Sequence, residues 1–328
     1  MKLFDCSMRD GGYLNNWYFS KEQARACYSA VKDCGIEYCE IGFRRNEHIN
    51  GPWFYTPESL IKETFENIVV PECKLALMAQ MGTFTIGDFV PRSESLISMV
   101  RVLIAYHCKD KDDTKLDIEL VIETVDMCKK LRELGYEVCI NIGRIEKISD
   151  YQLMQIFDII KDIPIEYFYI ADTYGNLGIY KMRNILLNIK KYYNGKIGFH
   201  GHDNLKNASV KAIDALYNGA DIVDVTFNGF GRGSGNAKSE YVLAHFQDTE
   251  KYKLLPSLIY TDKWIESYKN SGIPYLLTGL KSMHVNYAIE VIEKHDNITI
   301  EQVWDVFNKI IKMDKHHFYS SEILTQYM

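Results

Sequence analysis

The chain has 328 residues, 47% of them hydrophobic, with a net charge of −6 and a pI near 5.9. That balance supplies the apolar material for a large core and removes the electrostatic case for a nucleic-acid partner or a membrane surface. No apolar run approaches the roughly 18 residues needed to span a bilayer. Met1-Lys2-Leu3-Phe4-Asp5 opens on a strand pattern without the layout of a signal peptide. The eight cysteines show no C-x-x-C spacing and several sit inside apolar runs, so free thiols in a reducing cytoplasm are expected.

Residues 3–6 read as a short apolar strand running into Ser7-Met8-Arg9-Asp10-Gly11-Gly12, where a Gly11-Gly12 turn can fold Tyr13 back towards Asp10. Ser20 caps a predicted helix over 21–34 that stops at Gly35. Further strands are predicted over 38–41, 75–79, 100–106, 137–142, 166–171, 196–199 and 222–227. Helices fill the intervals at 57–68, 117–134, 150–161, 179–193, 205–218 and 238–249. The piece around 93–98 is the poorest match and reads as one or two turns.

Eight strands alternating with helices imply right-handed parallel crossovers. Carried through eight units, the pattern predicts an α/β fold closed as a (β/α)8 barrel over residues 1–254. An open doubly wound sheet usually stops at five or six strands. Residues 255–328 break the rhythm, with helices at 257–270, 287–294 and 300–311 and no strand. They are expected to form an appended helical segment that packs on the barrel or on a neighbouring subunit, and a homodimer is expected.

In such barrels the chemistry sits at the C-terminal ends of the strands. Asp10 follows the first strand, His200 and His202 end the seventh, and Asn236 closes the loop after the eighth. Side chains at i and i+2 leave a strand on the same face about 6.5–7 Å apart at Cα, so both imidazoles can converge on one cation. Strands seven, eight and one are neighbours only if the barrel closes, and four candidate ligands then share one arc of the rim. Glu40, near the end of strand two, falls beside Arg9, as a functional pair or as a structural rim ion pair.

The loop Gly229-Phe230-Gly231-Arg232-Gly233-Ser234-Gly235 lacks G-x-G-x-x-G spacing, which rules out a dinucleotide fingerprint. Its glycines let backbone N–H groups approach an anion, with Gly233 and Ser234 as candidate substrate contacts; a plain strand–helix turn would look the same. Arg44 and Arg45, followed by Trp53-Phe54-Tyr55, form either a lid over an anionic substrate or a solvated loop. His107 is a candidate pocket residue after strand four, and His316-His317 receives no role.

Several of these pieces together resemble the metal-dependent aldolase/lyase barrel superfamily of 4-hydroxy-2-oxovalerate aldolase, hydroxymethylglutaryl-CoA lyase and the isopropylmalate and homocitrate synthases. The matching stretches are Arg9-Asp10-Gly11-Gly12, Glu40-Ile41-Gly42, Ala171-Asp172-Thr173-Tyr174-Gly175, His200-Gly201-His202-Asp203-Asn204 and Asn228 through Ala237, in the family's order. The resemblance implies that Asp10, His200 and His202 hold a divalent cation, with Asn236 as a possible fourth ligand. It implies that Arg9 stabilises an enolate oxygen and that Glu40 orients Arg9. Thr173 would hydrogen-bond the carboxylate of an oxo-acid substrate. Mixed oxygen and nitrogen ligation with open positions suits Mn²⁺, Mg²⁺ or Co²⁺.

Two departures stand out. Where the oxo-acid aldolases carry a histidine base shortly after Arg-Asp-Gly, this chain has Tyr13, a poorer base at an unperturbed pKa near ~10. Residues 228–237 also lack the catalytic cysteine of the acyl-CoA lyases. The leading expectation is a carbon–carbon lyase acting on a 2-oxo acid or 4-hydroxy-2-oxo acid through a pyruvate enolate. An acyl-CoA/oxo-acid condensing enzyme, or a metal-binding barrel without turnover, are the alternatives.

Overall fold

The computed structural model describes residues 1–105, 115–246, 249–266, 272–281, 283–284, 286–295, 297–313, 316 and 319–328. Eight parallel strands close on themselves in sequence order: β1 Lys2–Asp5, β2 Tyr38–Phe43, β3 Lys74–Gln80, β4 Ile97–Ile104, β5 Glu137–Ile142, β6 Tyr167–Asp172, β7 Ile197–Gly201 and β8 Ile222–Val225. Closure is set by β1, which pairs with β2 on one side and with β8 on the other, Phe4 lying opposite Tyr38 and Asp224. The (β/α)8 barrel expected from the alternation is therefore the observed fold.

The helices of the series are α1 Ser7–Asn15, α2 Lys21–Asp33, α3 Glu58–Phe65, α4 Ile118–Glu133, α5 Asp150–Ile160, α6 Ile179–Tyr192, α7 Ala208–Tyr217 and α8 Ser239–His245. Local chemistry starts them where the sequence says. Ser20 and Gln23 form a reciprocal capping box on α2, and Ser149 with Gln152 does the same on α5. Between β3 and β4 there are only short 3-10 turns, Ile86–Asp88 and Arg92–Glu94, so the poorly matching piece at 93–98 is partly the start of β4.

One expectation fails here. Gly11-Gly12 is no turn: Ser7–Asn15 is helical, glycines included. Glycine costs a helix interior about 1 kcal/mol relative to alanine, and packing outweighs that cost. A Cβ on Gly11 would lie 2.1 Å from the Phe230 ring, so the glycine is there to let the loop after β8 close onto α1.

Among the described residues, five more α-helices follow: α9 Leu255–Tyr260, α10 Ile273–Leu280, α11 Asn286–Lys294, α12 Ile300–Lys312 and α13 Ser321–Tyr327. α9 lies against α2 and α8, and α12 against α9, so this segment packs on the barrel wall. Among the described residues, no helix is long and apolar enough to cross a membrane. The seven described cysteines are all free and buried.

Candidate active site

Period-two alternation fills the barrel interior in layers. The N-terminal layer is an apolar plug that includes Phe4, Tyr38, Met99, Cys139, Tyr167 and Ile222. Two residues further along the strands, the next inward positions are Glu40, Arg101, Asn141, Tyr169 and Asp224, all buried. Above this polar floor opens a cavity of about 490 Å³, lined by Arg9, Asp10, Asn141, Thr173, His200 and His202 among others.

On one side of the cavity the expected ligand cluster assembles. One donor atom each from Asp10, His200 and His202 lies within 4.8 Å of the other two. The Nε2 atoms of the two histidines face each other at 3.4 Å. His200 gives its Nδ1 proton to Asp224 at 2.9 Å. The Arg101 and His200 side chains outweigh burial to hold the Asp224 carboxyl at about 2, so the carboxylate accepts from Nδ1, and Nε2 of His200 is the nitrogen turned to His202. Burial, with His200 beside it, pushes His202 down to about 4 and keeps it neutral. Asn236 donates its amide to Asp10 Oδ2, while its own Oδ1 is buried with no partner. Two facing imidazole nitrogens, a carboxylate and an orphaned carbonyl form a donor set that fits a divalent cation. Gly231 makes room for it: a Cβ there would sit 2.0 Å from Asn236 Nδ2 and 2.6 Å from Asp10 Oδ2.

Around that cluster runs a ring of alternating charge. Arg9 donates Nη1 to Asp10 at 2.7 Å and Nε to Glu40 at 2.7 Å. Glu40 in turn lies 3.3 Å from Nε of Arg101, whose guanidinium grips Asp224 through three hydrogen bonds of 2.8–2.9 Å. Asp224 returns the ring to His200. Arg101 is wholly buried and held between Phe4 and Tyr169, at 4.3 and 4.4 Å from their ring centroids. Burial opposes charge on Arg9 and Asp10, but Glu40 and Asp10 outweigh it for Arg9, and Arg9 for Asp10. Arg9 therefore stays protonated and Asp10 is held at about 2.

Residues 1–258 match the family model described as HMGL-like. The chain belongs to the HMGL-like family. It is similar to a 4-hydroxy-2-oxovalerate aldolase of Bacillus thuringiensis (strain Al Hakam), 28% identical over 258 residues that cover 77% of this chain and 71% of that protein. It is also similar to an oxaloacetate decarboxylase of Mycobacterium tuberculosis, 25% identical over 75% of this chain and 69% of that one. Among solved structures, a Bacillus subtilis HMG-CoA lyase superposes at TM-score 0.67 with 18% identity, over 83% of this chain and 93% of that one. The N-terminal domain of a candidate aldolase from Bacteroides vulgatus superposes at 0.65 with 24% identity, over 95% and 100%. Both structural likenesses bear on the fold alone.

In this HMGL-like barrel the remaining sequence candidates divide. Tyr13 lines the cavity beside Asp10, one helical turn on, so α1 brings it there and not a Gly11-Gly12 turn. Its ring packs edge-on against Trp17 at 4.6 Å. Thr173 also lines the cavity, its Oγ1 accepting the Arg144 N–H at 2.8 Å. Gly233 reaches the cavity, whereas Ser234 is exposed and outside its described lining. Arg44 is buried and paired with Glu58, and Arg45 lies between Phe43 and Phe54 with a hydrogen bond to Gln80. Neither forms a solvated loop. His107 and His317 lie outside the described residues, and His316 accepts the N–H of His284 through its carbonyl, away from the site.

Arg101 and Asp224 were missed by motif reading. The signal was there: each is a lone charge inside an otherwise apolar strand, in Val100-Arg101-Val102 and Val223-Asp224-Val225. A charge in a fully buried strand needs a partner, and here the two are each other's.

Proposed function

We propose that this chain is a divalent-metal-dependent carbon–carbon lyase of the aldolase type acting on a 4-hydroxy-2-oxo acid. The observation that carries the reading is one cavity in which a cation-ligand cluster stands beside a guanidinium held charged by two carboxylates. Asp10, His200 and His202 would hold the cation, with Asn236 Oδ1 as a fourth donor; Mn²⁺, Mg²⁺ and Co²⁺ all suit such a set. When bound, the cation would supply Lewis acidity to the carboxylate and keto oxygens of a 2-oxo acid.

The chain's own groups account for the rest. Arg9 commits Nε to Glu40 and Nη1 to Asp10, which leaves Nη2 to meet the C2 oxygen as it gains charge. Thr173 accepts a backbone N–H at Oγ1 and keeps its own proton to donate to the substrate carboxylate. Tyr13 is the proton carrier this reading assigns. Acting as a phenolate, it would take the C4 hydroxyl proton; the C3–C4 bond breaks, and that bond's electron pair passes to the C2 carbonyl as an enolate. The hydroxyl carbon leaves as an aldehyde, and protonation at C3 yields pyruvate.

The test is pyruvate release. Protein loaded with Mn²⁺ should form pyruvate from 4-hydroxy-2-oxo acids and exchange the methyl hydrogens of added pyruvate with D₂O. Absence of both would overturn the reading, and thiol release from acetyl-CoA in the presence of an oxo acid would replace it with the condensing activity.

A further inference from the structure

Resting on the reading of Asp10, His200 and His202 as cation ligands, we infer that Lys211 is a positioning residue. Its ammonium clasps the segment that carries His202 to the loop that carries Thr173. Lys211 is outside the described cavity lining and acts from behind it.

Lys211 shares the buried face of α7 with Ala208, Ala212 and Ala215, and it is wholly buried itself. Alanines at this helical spacing let α7 lie close to the barrel wall, and the one long side chain among them crosses to the strand ends. Its Nζ donates to Asp172 Oδ2 at the end of β6 and lies 3.4 Å from the carbonyl oxygen of His202. Burying an ammonium and a carboxylate costs much of what their attraction returns, and an apolar pair of similar volume often serves stability as well. Stability alone is therefore a weak reason for a lysine at this position.

The pair has a geometric consequence instead. Asp172 Oδ1 accepts the N–H groups of Asn176 and Leu177 at 3.1 and 3.4 Å. The Asp172 carbonyl accepts those of Gly175 and His202 at 3.1 and 3.4 Å. Asp172 thus ties down residues 173–177 and the entry to the His202 segment together. The two backbones touch at Gly175, where a Cβ would lie 2.9 Å from the same His202 carbonyl oxygen that Lys211 approaches. On its other side the His202 segment is held by the loop after β8, Asp203 donating its N–H to the Gly235 carbonyl at 2.9 Å. Lys211 closes the remaining side. Thr173 and His202 both line the cavity, so the clasp sets the spacing between a cation ligand and the group assigned to the substrate carboxylate.

The test uses the full chain with Lys211→Met and Asp172→Asn combined, which leaves no stranded charge and keeps an Oδ1 acceptor for Asn176 and Leu177. Urea unfolding should place this variant close to the parent. In the metal-free state, amide hydrogen exchange over residues 172–177 and 201–204 should lose protection in both segments together. Mn²⁺ titration read by electron paramagnetic resonance should show a Kd raised roughly tenfold or more, as when other supports of a metal ligand are removed. Asp172→Asn alone is the second variant, and the same two readings apply to it. Mn²⁺ bound equally well by parent and variants, or protection kept in either segment, overturns the role of Lys211 and leaves the cation site standing. A parent that takes up no Mn²⁺ overturns both.

Discussion

Replacing Arg101 by methionine should unsettle both the fold and the metal site. Methionine fills much of the same volume between Phe4 and Tyr169, so the cavity left behind is small and the main loss is charge. Asp224 loses three hydrogen bonds and Glu40 its neighbour at 3.3 Å, while both carboxylates remain fully buried. Removing one partner of a buried ion pair costs about 3–5 kcal/mol. Asp224 also orients His200, and loss of such an outer partner weakens metal affinity by roughly 10–100-fold. Urea unfolding of the metal-free protein reads the first effect, and Mn²⁺ titration of the variant that remains folded reads the second. Arg101→Met with Asp224→Asn should regain part of the stability, because the stranded charge is gone, yet not the metal affinity. A loss below about 1 kcal/mol, with Mn²⁺ affinity unchanged, would refute the ring as a positioning device.

The other outcomes are simpler. His202→Ala should abolish tight Mn²⁺ binding, read by electron paramagnetic resonance, with the far-ultraviolet circular dichroism intact, because rim residues contribute little to a barrel core. Arg9→Lys should lower kcat far more than it raises KM, since lysine lacks the planar fork that meets Glu40, Asp10 and an enolate oxygen at once; equal, small effects would mark a structural ion pair. Tyr13→Phe should stop pyruvate formation while Mn²⁺ still binds, and full activity in the variant would leave the proton carrier to another group.

The barrel was legible because parallel strands are covered on both faces and so read as short apolar runs. Gly35, Gly135 and Gly219, each at positive φ after its helix, punctuate them. The ligands were legible for the same reason: Asp10, His200, His202 and Asn236 are polar residues placed where those runs end. What stayed hidden depends on packing across the fold. Nothing local tells that Gly11 sits in a helix, since what it makes room for is Phe230, arriving from the loop after the neighbouring strand β8. Arg44 and Arg45 look like a solvated pair until Glu58, Phe43 and Phe54 close around them. α10 escaped the periodicity because its sequence, Ile273 to Leu280, is apolar almost throughout and shows no polar face.

Asp5 provides a test that does not involve turnover. It ends β1 and is wholly buried, with Oδ1 accepting the Ser7 N–H at 3.0 Å and Oδ2 2.8 Å from the Ser7 hydroxyl. That hydroxyl in turn accepts the Phe227 N–H at 2.9 Å, so the carboxyl ties the start of α1 to the loop after β8. Burial outweighs these bonds and pushes the Asp5 carboxyl from 3.8 up to about 7. A folded pKa above the unfolded value means the native state holds the extra proton. Its contribution is fully present below about 4 and is lost as pH rises to about 7. At pH 8 the native protein carries a buried charge that the unfolded chain would carry at no cost, a penalty of roughly 2–4 kcal/mol at 1.36 kcal/mol per pH unit. Asparagine cannot ionise, and its amide reproduces both bonds: the carbonyl accepts from Ser7 N–H and the NH₂ donates to Ser7 Oγ. Asp5→Asn should therefore unfold at higher urea than the parent at pH 8, with the gap closing as pH falls towards 5. A variant that is weaker than the parent by the same amount at every pH would mean that Asp5 is ionised in the native state and that its charge holds Ser7.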